Sequence, residues 1–539
     1  MSGACGPANR EVSDDGSTMR MGCGAWRAAL ALLSAMLLTP LTMTDAPPLL
    51  DYPNHLARLA LLAAGPGDPG IFTPRWTIIP NLAIDLIGPP LLRLLPVHDA
   101  GRCLLGGVLL LNLAGALALH RALFGRRSFW PLASGLVAYD STFLLGFLNW
   151  RIGCGLAMLC AAGWIAWRER HPCATIAAAV LASIVLFFCH LMGVAFFLIL
   201  IASAEAHAMR RGQILTRALA LLPVFAGPLA LSFLTELRDA PAATRWTGPW
   251  DKLVQAGSPF VNYSVSLDTI TALAVYGGVI LGVLAGWIAV APRARLAVMG
   301  LVFLYIALPF SLKGTSFLDT RVAIMLGCLL FAVTDPVRLP RRQTVAACLA
   351  ALFLTRMAVV TEVWTEYRRD LAAVRAVIAT VPPGARVYQM DNPPESASES
   401  QNAAPRGRRL SNGLSTNWHL SALLLIEHGA FWQGLFANPA QQPIQLRPAY
   451  VHLVQEANTI PSYAALMADP DSGSRALCAF DYALMLETGT EARLTDFVPR
   501  YLSLVARNDF AALFQVRRDG PACAPDPPRE DASRSPERK

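Results

Sequence analysis

Residues 101–127 read GRCLLGGVLLLNLAGALALHRALFGRR. A helix needs an apolar run of about 20 residues to cross the hydrocarbon of a bilayer, and this one is closed at once by Arg121, Arg126 and Arg127. The same alternation of apolar stretch and basic cluster fills the first two thirds of the chain. Of 539 residues, 54% are hydrophobic and 15% charged, where a soluble domain carries about 25% charge. One globular core has no room for so many apolar helices. Lipid accepts them, provided each backbone polar group is bonded within a helix. The sequence therefore specifies a polytopic α-helical membrane protein.

The apolar runs divide into about eleven spans of membrane length: 26–43, 101–120, 129–145, 149–167, 173–189, 191–207, 217–235, 269–290, 296–312, 319–335 and 343–361. Charge tests this division. Arg20 and Arg27 open the first span, and basic clusters follow the second (Arg121, Arg126, Arg127), fourth (Arg168, Arg170), sixth (Arg210, Arg211, Arg217), eighth (Arg293, Arg295) and tenth (Arg338, Arg341, Arg342). All fall on one side, as the positive-inside rule requires. The expectation is a multi-pass protein of a bacterial-type inner membrane, N-terminus cytoplasmic and C-terminus periplasmic. The stretch NLAIDLIGPPLLRLLPV (81–97) imitates a span, but counting it would invert every later cluster, so it reads as an interfacial helix. The net charge of +8 is thus topological. It forms no basic stripe with interleaved aromatics, and a nucleic-acid partner is not expected.

Four regions follow: a disordered cytoplasmic N-terminus (1–24), a transmembrane bundle (25–361) carrying a long outer loop (44–100), an extracytoplasmic α/β domain (362–515) and a disordered tail (516–539). In the domain, residues 361–390 read as a helix stopped by Pro382-Pro383-Gly384 and followed by a strand. LSALLLIEHGAFWQGLF holds a helix ending at Gly429 or Gly434. DYALMLETG and YLSLVARNDFAALFQV suggest a strand–helix–strand finish, and residues 391–412 a mobile loop. The cysteines show no CxxC spacing. Cys478 and Cys523 can pair if the domain lies in an oxidising compartment.

Polar groups interrupt the apolar pattern at four places. Asp51-Tyr52-Pro53-Asn54-His55-Leu56-Ala57-Arg58 follows the first span. Asp51 can cap a helix with Pro53 in its first turn, and His55 and Arg58 project from neighbouring faces. Such a carboxylate can act as a general base toward a hydroxyl, or bind a divalent cation, and Arg58 can face a phosphate. The alternative is a cap with interfacial anchors. Asp140 and Arg151 interrupt the 129–167 stretch; intramembrane charge is either functional or paired, here as an Asp140–Arg151 ion pair. His190 sits within another apolar stretch, as a ligand or proton-transfer group or as a satisfied structural histidine. Lys313, Asp319 and Arg321 lie in the turn between the ninth and tenth spans, where positive charge is scarce. They read as a phosphate site with Asp319 holding Arg321 or a metal, or as snorkelling side chains with a local Asp319–Arg321 contact. No P-loop or GxSxG signature is present to support an ATPase or a hydrolase.

This layout resembles the GT-C superfamily, multi-span glycosyltransferases that use polyprenyl-phosphate sugars: a first span, then a long outer loop bearing an essential acidic residue, here Asp51, and an extracytoplasmic domain at the end. The runs DYPNHLAR, FLNWRIG and CHLMG also resemble a set of uncharacterised bacterial membrane proteins placed near such enzymes. The resemblance implies sugar transfer from a polyprenyl-phosphate donor to an envelope glycan, lipid or protein acceptor. Asp51 and His55 would be catalytic. Arg58, Lys313 and Arg321 would hold the donor phosphate, with Asp140, Arg151, His190 and Asp319 as further substrate-binding candidates. A paired acidic motif is missing, since Tyr52 follows Asp51, and a divalent cation (Mg or Mn) would need Asp85 or Asp99 as second carboxylate. A transporter or flippase of an envelope precursor, with Asp140, Arg151 and His190 along its path, and a membrane-anchored binding or assembly protein are the alternative expectations.

Overall fold

The computed structural model describes residues 10–12, 18–20, 23–65, 70–209, 212–235, 244–312, 315–390, 407–460, 474–488, 502–518 and 523. In chain order its α-helices through the bundle are α1 (Cys23–Leu38), α2 (Tyr52–Ala64), α3 (Ala83–Leu92), α4 (Val97–Phe124), α5 (Ser141–Leu144), α6 (Leu148–Trp167), α7 (Pro172–Cys189), α8 (Leu191–Ala208), α9 (Ile214–Phe233), α10 (Pro249–Gln255), α11 (Val265–Leu284), α12 (Arg295–Ala307), α13 (Leu318–Leu330) and α14 (Arg342–Ile378). Eight helices among the described residues are long and apolar enough to cross a membrane: α1 with its 3₁₀ continuation (Gly24–Thr42), α4, α6 to α9, α11 and α14.

Three of the eleven expected spans depart from that form. Residues 129–145 hold a 3₁₀ segment, Trp130–Val137, and then the four-residue α5. Pro131 and Gly135 weaken an α-helix here, and Asp140 starts a new one by accepting bonds from the Thr142 and Phe143 amides. Irregular backbone at membrane depth is tolerated only when protein surrounds it; Pro131, Ser134, Gly135, Leu136 and Val137 are all buried. The ninth and tenth expected spans are α12 and α13, of 13 residues each, or about 20 Å at 1.5 Å per residue. Residues 52–64 and 83–92 form α2 and α3, neither of spanning length.

Contacts between distant segments define two ends. At the basic end, Trp26 Nε1 donates to the Ser128 carbonyl (3.0 Å) and Arg126 pairs with Asp335. Glu205 gathers Trp164, Arg168 and Arg217, while Ser203 donates to the Arg293 carbonyl. At the domain end, Asp45, His98, Arg375 and Glu427 form one network. Arg375 Nη2 lies 2.8 Å from Asp45 and 2.7 Å from Glu427, and His98 Nε2 lies 3.1 Å from Glu427. Burial works against the Glu427 charge, yet these partners outweigh it and hold its carboxyl at about 2.

The strands number β1 (Arg10–Val12), β2 (Thr18–Arg20), β3 (Phe72–Pro74), β4 (Ile288–Val290), β5 (Thr334–Pro336), β6 (Arg386–Met390), β7 (Phe431–Trp432), β8 (Ile444–Leu446), β9 (Tyr482–Leu486), β10 (Leu502–Arg507) and β11 (Ala511–Val516). The pair β1–β2 falls within residues 1–24; most of that expected disorder, with the expected 391–412 loop up to 406, lies outside the described residues. The C-terminal domain is a mixed sheet of order β10-β11-β9-β6-β7. Its period-two alternation is clean: Val387, Leu484, Leu486, Ala511 and Leu513 pack on one face, Tyr388, Ala483, Met485, Ala512 and Phe514 on the other. The first face meets Tyr367, Leu371, Val374 and Ile378, one stripe of α14. Helix α14 thus runs unbroken from the bundle into the domain, across the expected boundary at 362. The expected helix in YLSLVARNDFAALFQV is instead the hairpin β10–β11; the Asn508 side chain accepts from the Phe510 and Ala511 amides and turns the chain there. Cys478 and Cys523 are disulfide-bonded, with Cα atoms 5.6 Å apart.

Candidate functional site

The domain closes on the 44–100 loop through short-range chemistry. Strand β3 pairs antiparallel with β8. The Asn54 amide clamps the chain after β7: its Nδ2 donates to the Gly434 carbonyl (2.7 Å) and its Oδ1 accepts from the Phe436 amide (2.9 Å). These bonds deliver the 417–436 segment to the start of α2, where Asp51 stands.

Asp51 holds the residue position before α2, but its side chain caps no helix amide. His419 Nδ1 lies 3.0 Å from Asp51 Oδ1, an ion-pair distance without full hydrogen-bond alignment. Phe436 and Trp432 pack against the His419 ring at 4.8 and 6.0 Å. Both side chains keep a little exposure, 13% for Asp51 and 11% for His419, inside otherwise buried surroundings. The backbone of Asp51 is fixed from below, its amide donating to the Leu145 carbonyl (3.1 Å). Gly146, at φ 81°, follows. A Cβ there would stand 2.8 Å from the Tyr52 amide nitrogen and 3.1 Å from Asp51 Cβ, so only glycine fits.

His55 is engaged on both sides: Arg58 Nη1 lies 3.1 Å from its Nδ1, and the ring also bonds the Gly146 backbone. Burial, then the charges of Arg58 and His419, push its pKa well down, so the ring is neutral. Arg58 itself spends Nε and Nη2 on Asp85, at 2.7 and 3.2 Å, with both side chains enclosed. Among the described residues no three metal-ligating side chains converge, and both carboxylates expected as second ligand already hold a cation, Asp85 with Arg58 and Asp99 with Arg102. The donor set does not fit a resident divalent ion.

Arg321 is the other half of the site. It is 8% exposed, yet no carboxylate pairs with it among the described residues; its Nη1 donates to the Ser316 carbonyl (3.0 Å) and its Nε has no partner. The guanidinium lies 4.8 Å over the Phe147 ring, and Asp51 is the carboxylate whose charge reaches it. The expected Asp319–Arg321 contact is absent: Asp319 Oδ2 accepts from Thr247 Oγ1 (2.6 Å) and Oδ1 from the Thr320 amide. Lys313 lies outside the described residues. His190 breaks α7 from α8, its Nδ1 accepting from the Met192 amide (3.0 Å), and sits within electrostatic reach of Arg321. Asp140 and Arg151 are brought together instead as an enclosed ion pair at 2.8 Å. Sequence reasoning missed His419 and Gly146. The polar island Thr416-Asn417-Trp418-His419 before an apolar run was a usable signal; nothing in sequence announced its partner.

Fold and site define a polytopic α-helical membrane protein whose C-terminal domain packs on its first long loop and completes a polar site there. The chain shares its fold, over 92% of its length and 98% of the other chain, with a crystal structure of ArnT from Cupriavidus metallidurans bound to undecaprenyl phosphate (TM-score 0.55, 13% identity). It also aligns at 12% identity and TM-score 0.42 with the arabinofuranosyltransferase AftD from Mycobacteria, covering 95% of this chain and 40% of that one. No family model and no curated protein sequence matches the chain.

Proposed function

We propose that this protein transfers a sugar from a polyprenyl-phosphate donor to an envelope acceptor at the outer face of the inner membrane. The observation that carries the reading is the buried Arg321, without a carboxylate partner among the described residues, beside the Asp51–His419 pair. A guanidinium without a countercharge is costly in a low-dielectric setting, and a phosphate ligand supplies what it lacks. The shared fold with a protein bound to undecaprenyl phosphate supports this choice of phosphate. The gathering of basic clusters at one end and of the disulfide-bearing domain at the other supports an N-terminus inside and a domain in the oxidising periplasm.

The acceptor hydroxyl oxygen attacks the anomeric carbon as the bond from that carbon to the phosphate oxygen breaks. Its proton passes to Asp51, whose carboxylate is oriented by His419. The polyprenyl phosphate departs with the bonding electron pair and an added negative charge, which Arg321 faces without having to reorganise. His55 and Gly146 act as positioning residues: the His55 amide donates to the Asp51 carbonyl (3.0 Å), and the 145–146 turn holds the Asp51 amide through the Leu145 carbonyl. Asp140 and Arg151 hold the bundle together from within.

Purified protein in nanodiscs, given polyprenyl-phosphate sugars and envelope acceptors, tests the reading. Transfer by the wild type and its loss in a folded Asp51→Asn variant is the expected result; transfer unchanged in Asp51→Asn removes this mechanism.

A further inference from the structure

A cavity of about 370 Å³ opens at the domain end, between α10, the turn before α13, the start of α5 and the Asn412 loop of the domain. It shares wall residues with the site above. Leu145 lines it, and the Leu145 carbonyl bonds the Asp51 amide. Phe317 lines it too and packs on Phe147, the ring beneath Arg321.

The lining has an unusual polar inventory. Ser141 is 1% exposed and its hydroxyl has no hydrogen-bond partner among the described residues; the same holds for the buried Oε1 of Gln255, whose Nε2 donates to Thr320. Buried polar atoms are rarely left unpaired unless a ligand or water serves them. One hydroxyl and one amide oxygen call for hydroxyl partners. The charged lining residues, Arg245 and Asp251, cancel, which disfavours an anion. Trp246 stands 62% exposed at the rim and offers a flat apolar face, the surface that the C–H side of a sugar ring covers.

We propose that this cavity binds a neutral, hydroxyl-rich saccharide unit, stacked on Trp246 and hydrogen-bonded by Ser141, Gln255 and Asp251. The assignment rests on the transfer reading for its purpose, and on the unpaired lining atoms for its chemistry. The saccharide belongs either to the donor lipid or to the acceptor, and binding distinguishes them. Wild type, Gln255→Ala, Asp251→Asn and Trp246→Ala are compared in nanodiscs for affinity toward a polyprenyl-phosphate hexose, bare polyprenyl phosphate and a panel of free oligosaccharides. Trp246 and Asp251 are exposed, so those two variants test the cavity without disturbing the core. A loss of about tenfold per variant for the hexose lipid, with bare lipid unchanged, assigns the cavity to the donor sugar. The same loss confined to oligosaccharides assigns it to the acceptor. No loss for either saccharide, or an equal loss for bare lipid, overturns the proposal. Arg321→Gln judged on bare lipid alone tests the transfer reading separately.

Discussion

Arg151 and Arg321 are both buried arginines of the bundle, and they are treated in opposite ways. Arg151 has its countercharge 2.8 Å away on Asp140, both at most 1% exposed. Arg321 has a backbone carbonyl, an aromatic ring and no carboxylate within ion-pair range among the described residues. The nearby carboxylate that would satisfy it, Asp319, is turned to Thr247. A paired buried charge holds a structure together; on the proposed reading, the one without a carboxylate is kept for a ligand.

That contrast breaks most visibly at the paired site. Arg151→Ala strands the Asp140 carboxylate in the bundle, at a cost of about 3–5 kcal/mol; the expected outcome is loss of folded protein, read by size-exclusion chromatography and thermal melting in detergent. Arg321→Gln removes a charge with no carboxylate partner among the described residues, so the unliganded melting temperature should stay level or rise, while transfer falls by roughly 10²–10³-fold. Asp51→Asn should keep the fold and lose on the order of 10²–10⁴-fold in transfer, and His419→Gln should lose less, since it acts on orientation.

The smallest effect concerns the domain's attachment. The Glu427 carboxyl is held at about 2, below its ordinary 4.5. Its contribution is complete above pH 4.5 and is lost as pH falls toward 2. Protection factors for hydrogen exchange in residues 423–428 should fall across that window in the wild type and change less in Glu427→Gln.

Most of the bundle was legible because burial in lipid writes itself as apolar runs of fixed length. The 129–145 crossing was not: Pro131 and Gly135 sit in a run as apolar as any span, and only the surrounding helices permit a 3₁₀ backbone there. The acidic residue after the first span was legible from its position; its partner was not, because His419 arrives through the Asn54 clamp and β3–β8 pairing, contacts between segments hundreds of residues apart. The turn at Asn508 was misread as helix because LVARNDFAAL carries good helix formers whose tertiary neighbours are strands.

Thermal stabilisation by undecaprenyl phosphate, titrated against wild type and Arg321→Gln, tests the central contrast most directly. A ligand that binds the folded state raises stability by RT ln(1 + [L]/Kd), so the account predicts a concentration-dependent rise in the wild type that Arg321→Gln largely loses. An equal rise in both proteins, or none in either, would contradict it.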